Sequence, residues 1–144
     1  QSPPSSAKFW DPEYGNVIED DNLNFILIRY ADILLMKAEA LNATGDNDEK
    51  YTALNLVRNR AGLGSVTAAD GLNKEQFAEL LLQERMHELC CEHMRRWDLI
   101  RFGKLTEYMK DRADVTIQPH HVLYPLPQAA IDANDAITEN NSGY

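Results

Sequence analysis

The chain has 144 residues, 44% of them hydrophobic, which is enough for one globular domain with an apolar core. Its 23 acidic and 14 basic residues give a formal net charge of -9, which repels a phosphate backbone, so nucleic acid is not expected as a partner. No apolar run approaches the roughly 20 residues of a membrane-spanning helix, and the first residues do not follow the signal-peptide pattern. We expect a soluble chain, and the missing initiating Met suggests a processed chain or a piece of a longer protein.

Residues 1–24 predict an irregular approach segment. This stretch is rich in Ser, Pro, Asp and Asn, and it carries the aromatic residues Phe9, Trp10 and Tyr14. We expect no core element in it.

The next stretch predicts two helices. In RYADILLMKAEALNATGD the apolar residues recur at helical spacing, and Gly45 fits a C-terminal stop. DNDEKYTALNLVRNRAGLG then predicts a second helix that ends near Gly62. Because a short loop joins them, the two helices should be antiparallel neighbours, similar to one helix-turn-helix unit of the tetratricopeptide type.

A long helical stretch follows. Asn73 and Gln76 have the spacing of a capping box, and Gly103 marks the end of the stretch. At roughly 30 residues the stretch is long enough that we expect a break near His93. LTEYMKDRADV predicts a further helical piece, and the prolines of YPLPQ require extended backbone before a short helix that starts near Gln128.

The predicted fold is all-α, built from tetratricopeptide-like helical hairpins with long irregular N- and C-terminal segments. We assign residues 1–144 to a single domain, with an approach segment (1–24), a helical core (25–118) and an extended tail (119–144).

The third helix carries a stripe of charged residues of both signs. At roughly 100° per residue they fall within an arc of about 120°. We call the following residues the charged stripe: Glu84, Arg85, Glu88, Glu92, Arg95 and Arg96. Spacing predicts pairs between neighbouring turns: Arg85 with Glu88, Glu92 with Arg95 or Arg96, and farther along Asp98 with Arg101. A solvated face and a face packed against another helix both fit this pattern.

The same stretch contains Glu, His and Cys residues, which occur in catalytic sites and in metal sites. Glu84 and Glu88 could act as an acid and a base, but neighbouring Arg residues lower carboxylate pKa values, whereas a general acid needs a raised one. HELCC lacks the second His of the HExxH zinc motif. Cys90 and Cys91, poorly placed on a helix to bridge each other, are expected to be buried as small hydrophobes. We expect no catalytic residue, metal or cofactor.

Several stretches resemble the C-terminal part of the SusD/RagB family of Bacteroidetes. ILIRYADILLMKAEALNATGD is similar to the family pattern lRYAEvlLnyAEAlnelG, and ALNLVRNRAGL is similar to lN.vR.RaGl. ERMHELCCEHMRRWDLIRFG resembles ERr.ELa.EG.R..DLrRwG, with His93 where the family has Gly. LYPLPQAAIDAN and ENNSGY resemble lfPIPq.Ei..N and the terminal QNPGY, with Ala130 for the usual Glu and Ser142 for the Pro.

The resemblance implies a non-catalytic lipoprotein of the outer membrane and cell surface. Such a protein binds an oligosaccharide or other nutrient and assists its uptake through a SusC-like TonB-dependent transporter, and it touches the membrane only through a lipid anchor upstream of this chain. The charged stripe would then tie scaffold helices together, with this chain mainly supplying the scaffold.

Sugar binding rests on aromatic faces, for which Trp10 and Tyr14 are the candidate ligand-binding residues. Loop packing is their alternative role, and Trp97, Tyr30 and Tyr51 are expected in the core. A tetratricopeptide-like protein-protein interaction module and a hydrolase with paired carboxylates are the competing functions.

Overall fold

The computed structural model describes Lys8 and residues 26–45, 48–112 and 114–144, and in these parts of the chain it contains helices and no strand. This confirms the predicted all-α fold. The α-helices are α1 (Tyr30–Thr44), α2 (Glu49–Arg60), α3 (Lys74–Glu88), α4 (Arg95–Arg101), α5 (Leu105–Met109) and α6 (Gln128–Asp132), and 3-10 turns cover Ala68–Asp70 and Pro119–Val122. The predicted approach segment, apart from Lys8, lies outside the described residues.

The chain divides into two compact units, Gln1–Arg95 and Arg96–Tyr144. The first contains α1, α2 and α3, and the second contains most of α4 with α5 and α6. The assignment of segments 1–24, 25–118 and 119–144 to a single domain stays a prediction.

The core of the first unit lies where α1 packs against α2 and α3. The side chains with the least exposure are Leu35, Ala38, Leu54, Phe77, Leu81 and Leu82. Tyr51 is buried as predicted, and its ring meets Phe77 edge-on with centroids 5.2 Å apart. Burial of each of the Leu and Phe side chains stabilises the fold by about 1.5–3 kcal/mol. Because Phe77, Leu81 and Leu82 belong to α3, this packing fixes which face of α3 meets the core.

A capping box explains where α3 begins, and left-handed backbone conformations explain why no helix continues after it. At its start the Gln76 backbone N–H donates to the Asn73 side chain over 2.8 Å, and the Asn73 N–H donates to the Gln76 side chain over 3.0 Å, which confirms the capping box. At its end the helix stops at Glu88, before the predicted break, and both Cys91 (φ 65°) and His93 (φ 60°) adopt left-handed backbone. A left-handed residue cannot continue a right-handed helix, so these two residues separate α3 from α4.

Two aromatic residues and two cysteines expected in the core are exposed. Tyr30 is 72% exposed because it is the first residue of α1, and helical side chains point back toward the N-terminal end. Trp97 is 52% exposed, since α4 buries the neighbouring face that carries Asp98 and Leu99. Cys90 and Cys91 are exposed because they lie in the turn after α3 and not on a helix.

Candidate functional site

The predicted stripe does not lie on one helix, because Glu92 follows the end of α3 and Arg95 and Arg96 lie on α4. Its α3 residues, Glu84, Arg85 and Glu88, face other segments of the first unit. Arg85 donates to the Asp32 carboxylate of α1 over 2.8 Å, with both side chains buried. Glu84 accepts from Arg58 of α2, and its side chain is 7% exposed. Since these charges lie in a packed interface, the packed alternative of the sequence analysis holds for this part of the stripe.

Glu88 joins three parts of the first unit. Its carboxylate accepts from Arg29, which precedes α1, and from Arg60 at the end of α2, each over 2.6 Å. Its carbonyl oxygen accepts from Arg29 over 2.5 Å and from Lys8 over 2.8 Å. Glu92 extends this network, accepting from Arg29 over 2.8 Å and from Lys8 over 2.6 Å.

The pairing predicted within the stripe is largely wrong. Among the described residues, Glu88 and Glu92 pair with cations from other segments of the first unit. Arg95 donates to the Leu82 carbonyl. The pair of Asp98 with Arg101 is confirmed, at 3.2 Å.

The pKa values of Glu92 and Arg29 argue against acid catalysis by this network. Burial raises the pKa of Glu92, but hydrogen bonds from Arg29 and Lys8 outweigh burial and hold that pKa below its ordinary value. The pKa of Arg29 is raised, chiefly by its hydrogen bond to Glu92 and against the effect of burial. Glu92 therefore stays ionised at neutral pH, where a general acid would have to hold a proton.

A cavity of about 490 Å³ opens beside the charged stripe in the first unit. It is lined by Lys8, Ile26, Arg29, Val57, Arg60, Ala61, Leu63, Glu84, His87, Glu88 and Glu92. Its size is in the range of small-molecule sites. Among these described lining residues there is no Trp, Tyr or Phe, so they offer no stacking face for a sugar ring, and the carboxylates are held by the cations named above.

The exposed aromatic residues of the second unit form a surface that the sequence analysis missed. The rings of Trp97 and Tyr124, both more than half exposed, have centroids 6.0 Å apart. The Arg96 guanidinium lies 4.6 Å from the Tyr124 centroid and donates to the His121 carbonyl over 2.7 Å. We call Trp97 and Tyr124 the aromatic pair.

Trp10 and Tyr14, the ligand-binding residues predicted from sequence, lie outside the described residues. His120 and His121 lie in the 3-10 turn Pro119–Val122. The His120 ring packs edge-on against Tyr144, with centroids 4.8 Å apart.

Within the ranges that the structure describes, no group of three His, Cys, Asp or Glu side chains is arranged to hold a metal ion. In the same ranges no helix combines the length and the apolar character needed to span a bilayer.

The chain is similar to known proteins in sequence and in fold. Residues 4–144 match the model of the SusD family. SusD-like protein P25 of Formosa agariphila is 32% identical over 152 residues, which cover 98% of this chain and 29% of that protein. SusD-like protein P38 of the same organism is 42% identical over 112 residues, which cover 74% of this chain and 22% of the relative. The chain thus spans less than a third of the length of these relatives.

Two crystal structures from Bacteroides thetaiotaomicron are similar to the chain. A SusD homolog matches with a TM-score of 0.70 and 34% identity, over 85% of this chain and 28% of its own. A SusD superfamily protein matches with a TM-score of 0.65 and 31% identity, over 82% and 26% of the two chains. With a family match over nearly its whole length and relatives that agree in sequence and fold, the chain belongs to the SusD family.

Proposed function

We propose that this chain is the helical scaffold part of a non-catalytic protein that binds a glycan or another nutrient at the cell surface. Membership of the SusD family supports a nutrient-binding role. The observation that carries the scaffold role is the pairing of Glu84, Glu88 and Glu92 with cations from other segments. Carboxylates paired in this way connect segments of the first unit that are far apart along the chain.

The competing hydrolase is disfavoured by the same pairing. A catalytic carboxylate pair needs one acid that keeps its proton near neutral pH. Glu84 is paired with Arg58, and Glu88 is paired with Arg29 and Arg60, so both carboxylates are engaged in contacts between segments of the chain.

Glycan contact in this chain would use aromatic faces. Trp10 and Tyr14 remain the sequence-based candidates, and the aromatic pair of Trp97 and Tyr124 is the structural one because both rings are exposed in one unit. A sugar ring packs its C–H groups on such faces while polar neighbours bind its hydroxyl groups.

The test is native affinity electrophoresis through gels that contain single polysaccharides. Wild type is compared with Trp10→Ala and Trp97→Ala, and Tyr30→Ala is the control because Tyr30 is an exposed aromatic residue that is not a candidate for glycan contact. Loss of retardation in one tryptophan variant would place the ligand there. Retardation of none of the proteins by any polysaccharide would contradict glycan contact by this chain.

A protein-interaction module is the second candidate, and a surface of α1 favours it. Tyr30, Ile33 and Met36 lie along α1 and are all exposed, next to exposed Ile26, Leu27 and Ile28. Apolar residues grouped in this way mark protein contacts. Self-association or partner capture that Ile33→Glu abolishes would support this function.

The proposal also covers the cellular location and the transport partner of a longer protein that contains this chain. It would be held at the outer membrane by a lipid anchor upstream of this chain and would pass its ligand to a SusC-like TonB-dependent transporter. Co-purification of that transporter with the anchored protein, and its loss when the lipid anchor is removed, would test this arrangement.

A further inference from the structure

The turn that follows α3 brings the two cysteines of the chain together. Consecutive residues of a helix would point their side chains roughly 100° apart. Here α3 has ended at Glu88, and the left-handed backbone of Cys91 (φ 65°) turns its side chain back toward Cys90. The two Sγ atoms lie 3.7 Å apart, and both residues are exposed.

A pair of thiols can form a disulfide or bind one metal ion together, and the two arrangements require different distances between the sulfur atoms. A disulfide needs an S–S distance of about 2.05 Å and Cα atoms usually at least about 4.4 Å apart, whereas neighbouring Cα atoms are about 3.8 Å apart. Two thiolates bound to one tetrahedral metal ion, each at about 2.3 Å, lie about 3.8 Å from each other. The observed 3.7 Å is close to the sulfur spacing that joint coordination of an ion requires.

We propose that Cys90 and Cys91 form a bidentate dithiolate site for a soft, thiophilic metal ion. Thiolate ligands select ions such as zinc, cadmium and copper(I) over the harder magnesium and calcium. Because no third His, Cys, Asp or Glu joins the pair among the described residues, the protein would supply two ligands and leave the other positions to water or a small thiol.

The site has an open approach. Both thiols face solvent, which gives an ion an entry path. Thiols bind a metal ion as thiolates, so uptake of an ion releases protons. Two thiolates and a divalent ion together carry no net charge, so binding should leave the adjacent network of Glu88 and Glu92 in place.

The test is titration of the reduced 144-residue chain with cadmium chloride under anaerobic conditions. The thiolate-to-cadmium charge-transfer absorption should saturate at one ion per chain. Cys90→Ser and Cys91→Ser should each weaken binding at least tenfold while the helical circular dichroism stays unchanged. Met94→Leu, which removes a nearby thioether and keeps the side-chain volume, should bind like wild type.

Three results would overturn the assignment. Absorption that survives in either serine variant would mean that the ion binds elsewhere. Saturation at one ion per two chains would mean that the thiols of two molecules share it. Loss of binding in Met94→Leu would show a third protein ligand and contradict a bidentate site.

Discussion

The guanidinium of Arg85 on α3 donates to the carboxylate of Asp32 on α1 over 2.8 Å, and the two side chains are only 2% and 8% exposed. A buried pair of this kind fixes how two helices meet, because either charge without the other would be buried uncompensated.

Removal of Asp32 should therefore be costly. Asp32→Ala is expected to lower the free energy of unfolding by about 3–5 kcal/mol, as measured by urea denaturation. Lys37→Ala is the matched control, since Lys37 forms an exposed pair with Glu49 at 3.6 Å, and it should cost less than about 1 kcal/mol. Equal losses in the two variants would contradict a structural role for the buried pair.

Glu92 should make stability depend on pH. Its pKa in the folded chain is lowered below the ordinary 4.5, so it stabilises the fold above that value and this stabilisation is lost as the pH falls through the lower, folded pKa. Unfolding free energies measured from pH 6 down to pH 3 should fall more steeply for wild type than for Glu92→Gln. Parallel curves would show that the contacts of ionised Glu92 with Arg29 and Lys8 do not stabilise the folded chain.

The C-terminal residues pack closely on His120. A Cβ atom at Gly143 would lie 2.4 Å from His120 Cγ, and Gly143 has a left-handed φ of 98°. Gly143→Ala should destabilise this contact by about 1–3 kcal/mol and expose the C-terminus to carboxypeptidase. Gly64→Ala, where an added Cβ meets nothing within 4 Å, should not. Equal protease resistance in both variants would contradict the packing.

Loss of the N-terminal cap of α3 should lower the free energy of unfolding by a smaller amount. Asn73→Ala removes an acceptor for the Gln76 N–H and should cost about 1 kcal/mol in thermal or urea unfolding. Glu75→Ala, in the same turn but outside the capping box, is the control and should cost clearly less.

Local signals were predictable from the sequence, whereas contacts between helices were not. The capping box of Asn73 and the stop at Gly45 involve residues close along the chain, and both were predicted. The partners of Glu88 are 28 and 59 residues away, so spacing on one helix could not identify them. The family resemblance predicted their structural role.

The sequence also did not predict the conformation of the turn after α3. The left-handed backbone of Cys91 occurs without a glycine, so the two cysteines were expected to be buried on a helix, whereas they are exposed in a turn. The exposure of Trp97 was missed for a related reason, because an apolar side chain on a helix was assigned to the core without knowing which face α4 buries.

The central claim is that the charged stripe is structural, and Glu88 tests it most directly because its carboxylate accepts from both Arg29 and Arg60. The measurement is the free energy of unfolding of Glu88→Ala, with Glu107→Ala of an exposed pair as the control. We expect a loss of about 1.5–3 kcal/mol for Glu88→Ala, because its carboxylate accepts hydrogen bonds from two partly exposed cations, and less than about 1 kcal/mol for the control. A loss of only a few tenths of a kcal/mol for Glu88→Ala would contradict the claim.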